Sequence, residues 1–174
     1  MRALVVYESM FGNTELVARA VAEGVARHAE VTVAEVRGAR PEYAEKFDLV
    51  VVGGPTHAFS MTRPSTRADA ERQGAPHRTP DIGIREWLDR LPSGMHHEAI
   101  ATFDTRIDKA RRLPGSAARK AARVAHHHGY RKVAEPASFY VEGTSGPLVA
   151  GERERAVAWG DALAVKAEEQ AAAR

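Results

Sequence analysis

A three-layer α/β sandwich, built on a five-stranded parallel sheet in the order 2-1-3-4-5, is the fold class that three observations predict. Segments of strand character alternate with segments of helical periodicity along the 174 residues. Residues 3–7 and 49–53 are continuously apolar, which suits the centre of a sheet covered on both faces. Residues 30–36 instead interleave β-branched with polar side chains, as an edge strand does. Right-handed crossovers between such strands place the ligand site outside the carboxyl ends of strands 1 and 3, where the strand order reverses.

Taken in order, Ala-Leu-Val-Val-Tyr at 3–7 runs into a polar turn, Glu8 to Thr14, and then into an amphipathic helix. In that helix Val17, Ala20, Val21, Gly24, Val25 and His28 recur at three- and four-residue steps. A short helix around Pro41 to Lys46 follows the edge strand, and the third strand ends in a second loop, Gly54-Pro55-Thr56-His57-Ala58-Phe59. Residues 60–80 are rich in Arg, Ser, Thr, Pro and Gly and read as a functional or mobile loop. Asp81 is expected to cap a helix striped by Ile84, Trp87, Leu88 and Leu91 and stopped by Pro92. Residues 99–103 form the fourth strand, and Asp104-Thr105-Arg106 opens a third loop. A helix over 114–128 packs through Ala118, Ala122 and Ala125, with Gly129 as its C-terminal cap. Residues 137–141 form the fifth strand, 142–151 a loop, and 152–170 a closing helix buried through Ala156, Trp159 and Leu163.

At 44% apolar residues the chain is long enough for one domain over 1–174. The absence of cysteine excludes disulfides, thiolate metal sites, iron–sulfur clusters and a Cys nucleophile. Without an apolar run of signal-peptide or membrane-span length, a cytoplasmic protein is expected. The formal charge is +2, but residues 104–132 hold nine basic residues against two acids, a local net of +7. That stretch could attract nucleic acid, an acidic protein or a phosphorylated ligand, or simply form a solvated helix face, and nucleic acid is not the expected partner. His126, His127 and His128 fan around a helix end and cannot all ligate one metal, so they read as surface caps, as do His96 and His97. No Ser, His and acid grouping at the strand ends suggests a hydrolase, and no metal site is expected.

The loop after the first strand carries the most chemistry. It offers successive backbone N–H groups, the side chains of Ser9, Asn13 and Thr14, and a helix N-terminus, which together favour a phosphate. Gly12 lets the backbone approach closely, and no Lys or Arg sits in the loop, so neutral donors would carry the anion. The GxxxxGK[ST] loop of nucleotide hydrolases and the GxGxxG dinucleotide fingerprint are both absent. A phospho-acceptor Asp at the end of strand 3 is missing too, since Gly53 and Gly54 stand there. A single phosphate on a small cofactor remains.

With these residues in view the sequence resembles the flavodoxin-like family. Ser9-Met10-Phe11-Gly12-Asn13-Thr14 is similar to the Ser-Met-Tyr-Gly-Asn-Thr loop of flavodiiron flavodoxin domains. The family pattern [ST]-x-[ST]-G-x-T is met at Ser9, Gly12 and Thr14 and departs at Phe11. Gly54-Pro55-Thr56 looks like the family's second flavin loop. The resemblance implies FMN, its phosphate on residues 9–14, with Pro55, Thr56, His57, Ala58 and Phe59 on one side of the ring and Phe103, Asp104, Thr105 and Arg106 on the other. Met10 and Phe11 then cover the cofactor or plug the core. Members commonly stack a Trp and a Tyr on the ring; here the second loop offers His57 and Phe59 and the third no aromatic.

Arg106 is expected near the ring, with Arg63 and Arg67 on a loop that could reach it. A cation there would favour the anionic reduced flavin and two-electron chemistry. The function implied is electron transfer, as a carrier or a small NAD(P)H- or quinone-linked reductase, with a redox protein or a quinone-type acceptor as partner. The alternatives are a binding module acting through the basic face without flavin, or use of another flavin-type cofactor such as the deazaflavin F420.

Overall fold

In the computed structural model, which describes residues 1–76 and 81–173, six strands form one parallel sheet. The strands are β1 (Arg2–Tyr7), β2 (Glu30–Glu35), β3 (Leu49–Pro55), β4 (Ala99–Ile107), β5 (Arg131–Lys132) and β6 (Ala137–Val141). The helices are α1 (Asn13–Val25), α2 (Pro64–Arg72), α3 (Ile84–Asp89), α4 (Ala117–His127) and α5 (Glu152–Ala172), with 3-10 turns at Pro41–Lys46 and Asp108–Ala110. The sheet order β2-β1-β3-β4-β5 is the doubly wound one expected, with β2 at the edge. The additional strand arises because the fifth sheet position is filled twice. β5 pairs with the start of β4 (Ala99↔Arg131) and β6 with its end (Phe103↔Ala137 to Ile107↔Val141).

Alternation along the strands divides the core. Ala3, Val5, Leu49, Val51, Ala101 and Phe103 face α1 and α5, whereas Leu4, Val6, Val50, Val52 and Ile100 face α3 and α4. At roughly 1.5–3 kcal/mol for each large apolar side chain buried, these two layers supply most of the drive to fold. Helices α1 and α5 meet backbone to backbone, since a Cβ at Gly24 would lie 2.0 Å from the Val157 carbonyl oxygen and one at Gly160 2.1 Å from that of Val21. His28 lies beyond the end of α1, where its Nε2 meets Asp161 Oδ1 of α5 at 2.8 Å.

Five expectations are corrected. Asp104, Thr105 and Arg106 belong to β4 rather than to a loop, because β3 and β6 extend the ladder on both sides of it. The 60–80 segment contains the nine-residue helix α2, started by Pro64 at its first position; His77 to Pro80 lie outside the described residues. The N-cap of α3 is Gly83 rather than Asp81, with Glu86 accepting the Gly83 N–H at 2.8 Å. His96 is buried, stacked on Tyr130 with ring centroids 3.9 Å apart and bonded through Nε2 to the Pro92 carbonyl at 2.9 Å. In α4 the buried positions are Ala117, Ala118, Ala121 and Ala125, and Ala122 is turned partly outward. Gly129 follows that helix with φ of 96°, the left-handed conformation a C-terminal stop requires.

Candidate cofactor site

The chain leaves β1 at the point where the sheet order reverses: the Glu8 N–H donates to the Gly53 carbonyl of β3 at 3.0 Å, and the next four residues turn into α1. Gly12, the N-cap, adopts φ of 90°, which glycine reaches without the Cβ clash that other residues meet. Its N–H donates to Ser9 Oγ at 3.1 Å, fixing the loop, and no side chain caps α1. The unpaired N–H groups of the first turn and the positive end of the helix dipole therefore remain for a ligand. Thr14 Oγ1 and Thr105 Oγ1 lie 2.7 Å apart. One hydroxyl donates to the other, which leaves the second proton of the pair for an anion.

A cleft of about 340 Å³ opens in front of this turn, within the range of small-molecule sites. From the first loop Ser9, Met10, Phe11, Asn13 and Thr14 line it; from the second, Pro55, Thr56, His57 and Ala58; from β4, Thr105 and Arg106. The three loop regions thus converge as the strand order requires. Ile107, Val141 and Thr144 also line it, as do Thr66, Asp69 and Ala70 of α2 and its C-cap Gln73. The α2 wall escaped the sequence reading because its polar composition hid the helix, although Pro64 at the first position followed by Ala68, Ala70, Glu71 and Arg72 is a helix-start signal.

Three of the named residues lie elsewhere. Phe103 faces the α1/α5 core, edge-on to Phe139 and Trp159 at 6.0 and 6.2 Å, and over Gly53, where a Cβ would stand 1.9 Å from its ring. Asp104 is fully buried; its Oδ2 accepts Thr56 Oγ1 at 2.9 Å, Ser116 Oγ at 2.5 Å and the Ala118 N–H at 3.0 Å. It therefore joins the second loop to the start of α4. Phe59 is 52% exposed on a two-residue hairpin, His57 and Ser60 exchanging both backbone hydrogen bonds. Ala58 and Phe59 have φ of 44° and 63°, the positive values a type I′ turn needs at both central positions.

Arg106 is only 8% exposed and organises the loop after β4. Its Nη1 donates to the Gly115 carbonyl at 3.1 Å and its Nη2 to those of Ala110 and Leu113 at 2.5 and 3.1 Å. These neutral partners leave its charge in place at the wall of the cleft, and Nε is buried without a partner among the described residues. Arg67 takes a different course from the one expected. It is 2% exposed and turned away from the cleft, donating to Thr62 Oγ1 at 3.0 Å and to both Glu86 oxygens at 3.2 and 3.3 Å. Thr62 Oγ1 in turn donates to Glu8 Oε1 at 2.6 Å, and the Ile84 N–H to Glu8 Oε2 at 2.9 Å. This buried network fastens α2 and α3 to the end of β1; Arg63 is exposed. Burial pushes the Glu8 carboxyl up, against the opposing pull of Thr62, Ile84 and Arg67. Burial also lowers the pKa of His57, keeping the ring neutral at the cleft wall.

Comparison by sequence yields no matching family model and no matching curated protein. Comparison of structures does. Flavodoxin 2 from Bacillus cereus superposes with a TM-score of 0.70 at 20% identity, over 95% of this chain and 99% of that one. A flavodoxin from the domain Archaea gives 0.65 at 18% identity, over 97% and 99%. The Flv1 flavodiiron core from Synechocystis gives 0.64 at 14% identity, over 97% of this chain and 36% of that longer one. The chain has the flavodoxin-like fold. Within that fold the donors around the β1 turn suit a phosphate monoester: an uncapped helix start, a hydroxyl pair with a proton to give, and no carboxylate in residues 9–14. Apolar Met10, Phe11, Pro55, Ala58, Ala70 and Ile107 suit an aromatic ring beside it. The cleft of this chain thus fits a phosphorylated ring cofactor.

Proposed function

We propose that the protein binds FMN in this cleft and passes electrons, either as a carrier or as a small NAD(P)H- or quinone-linked reductase of the cytoplasm. The observation that carries the reading is the uncapped N-terminus of α1, headed by Gly12 at φ of 90°, facing a cleft at the switch point of a flavodoxin-like sheet. FMN, when bound, supplies one- and two-electron redox chemistry. The chain supplies the rest. The Ser9 to Thr14 turn holds the phosphate with neutral donors, and the Thr14–Thr105 hydroxyl pair gives it a further hydrogen bond. Pro55 to Ala58 form one wall of the ring site, and Asp104 positions that wall through Thr56. Arg106 sets a fixed positive charge at the cleft wall and so favours electron density on the bound group. Met10, Phe11 and α2 exclude water.

The test is the absorbance spectrum of the purified protein and the fluorescence of FMN titrated against it. A yellow protein, or stoichiometric quenching of added FMN that Thr14→Val weakens, is expected. Colourless protein that leaves FMN fluorescence untouched refutes the reading, and tighter binding of the deazaflavin F420 than of FMN replaces the cofactor.

A further inference from the structure

At the other end of β4, a second groove of about 830 Å³ runs between α4 and the sheet edge. One wall is a single helix face, Arg119, Ala122, Arg123 and His126, at steps of three and four residues. The other is the chain from Gly129 through β5 to Pro136, carrying Arg131 and Lys132. Arg119, Arg123, Arg131 and Lys132 are all exposed, and the sole acid in the lining, Glu135, is paired with Lys132. Among the described residues no carboxylate pairs with Arg119, Arg123 or Arg131. Three unpaired guanidinium groups held in one groove repel each other, and an anion laid between them relieves that repulsion.

The geometry narrows the anion. The groove lies about six residues along β4 from the cleft, roughly 20 Å at ~3.3 Å per residue, so a hydride donor bound there could not reach the ring site. Nucleic-acid single strands need aromatic platforms to stack on, yet the groove's one Tyr, Phe or Trp, Tyr130, is 1% exposed with its ring on His96. Because α4 lies flat on the sheet, it presents no projecting helix for a duplex groove. Carboxylates on a peptide fit such a groove. Guanidinium forks bind them bidentately, and apolar Ala122 and Pro136, one in each wall, accommodate the stem of a side chain. We propose that the groove between α4 and β5 is a docking site for an acidic segment of a partner protein. The site is independent of what fills the cleft.

The experiment follows the fluorescence anisotropy of a fluorescein-labelled Glu/Asp-rich peptide on the full chain, beside a Gln/Asn peptide of matched length and a single-stranded RNA. Amide chemical shifts are mapped on the wild type, and Arg119→Glu/Arg123→Glu/Arg131→Glu is measured in parallel. The acidic peptide is expected to bind, to weaken about tenfold or more between roughly 50 and 200 mM salt, and to shift amides in residues 119–136. The triple variant is expected to lose about tenfold or more of that affinity while its melting temperature and FMN titration stay unchanged. Absence of binding, equal binding of the Gln/Asn peptide, or shifts mapping away from 119–136 overturns the proposal. RNA bound more tightly than the peptide at the same residues also overturns it, in favour of a nucleic-acid site. The shift map decides even if the triple variant does not fold, and because FMN is titrated separately, loss of one reading leaves the other standing.

Discussion

Replacing Arg67 with methionine keeps the aliphatic stem and removes every donor. Thr62 loses the guanidinium, Glu86 loses two bonds, and the fully buried Glu8 loses its nearby positive charge. Removing one partner of a buried pair costs about 3–5 kcal/mol. The Glu86 side chain is 27% exposed, so water takes over part of its solvation and the low end, ~3 kcal/mol, applies. For a chain of this size that is a fall in melting temperature of roughly 6–12 °C. The loss also depends on pH. Burial pushes the Glu86 carboxyl up, but the Arg67 guanidinium and the Gly83 N–H outweigh it and hold the pKa below its ordinary 4.5. Glu86 therefore contributes stability above about pH 4.5 that fades as pH falls through its folded value. Glu8, raised by burial, has the opposite sign: its contribution is complete below 4.5 and fades as pH rises. Loss of Arg67 removes the first contribution and enlarges the second penalty. The deficit of the variant is thus greatest near neutrality and shrinks on acidification. Thermal melts of wild type, Arg67→Met and the exposed control Arg63→Met at neutral and mildly acidic pH measure it. A drop below about 2 °C at neutral pH, or a drop equal at both, would refute the assignment of Arg67 to this network.

Three further outcomes are expected. On the FMN reading, Arg106→Gln lowers the two-electron midpoint potential of the bound flavin by about 30 mV or more, equivalent to ~1.4 kcal/mol, while Arg106→Lys recovers most of it; equal potentials in all three proteins would discount the charge. Ala58→Asn with Phe59→Gly places the residues a type I′ turn prefers at φ of 44° and 63° and raises the melting temperature by a few degrees, about 1 kcal/mol; a lower melting temperature would show that Phe59 packing against Gly115 matters more than backbone strain. The His57 ring resonances titrate below the ordinary 6.5 because burial disfavours the cation, so its share of stability is present above pH 6.5 and declines as pH falls through the folded value; a midpoint at or above 6.5 in the NMR titration would contradict that burial.

The parts of the site readable in advance are those where local sequence and backbone geometry coincide. Ser9 to Thr14 and Pro55 to Ala58 lie at strand ends whose position follows from the apolar runs before them, and both line the cleft. Phe103 and Asp104 are separated from the cleft by a short distance in sequence and a large difference in environment. Ladder pairing on both sides carries β4 to Ile107, and alternation then turns Phe103 into one core layer and Asp104 toward the start of α4. Likewise Arg67 reads as a loop cation from composition, yet it is buried because Glu8 at the end of β1 and Glu86 of α3 come together around it with the nearby Thr62.

The sequence by itself determined the layer order, the sheet order and the Gly12-headed turn into α1, since hydrophobic period, crossover handedness and glycine conformation act over a few residues at a time. Only the tertiary structure decided which side chains meet across those elements. It set α2 as the fourth wall of the cleft, Arg106 as a fixed charge rather than a loop cation, and α4 against β5 as a basic groove. Each of these depends on burial and on how packed elements face one another, and neither is written in a local pattern.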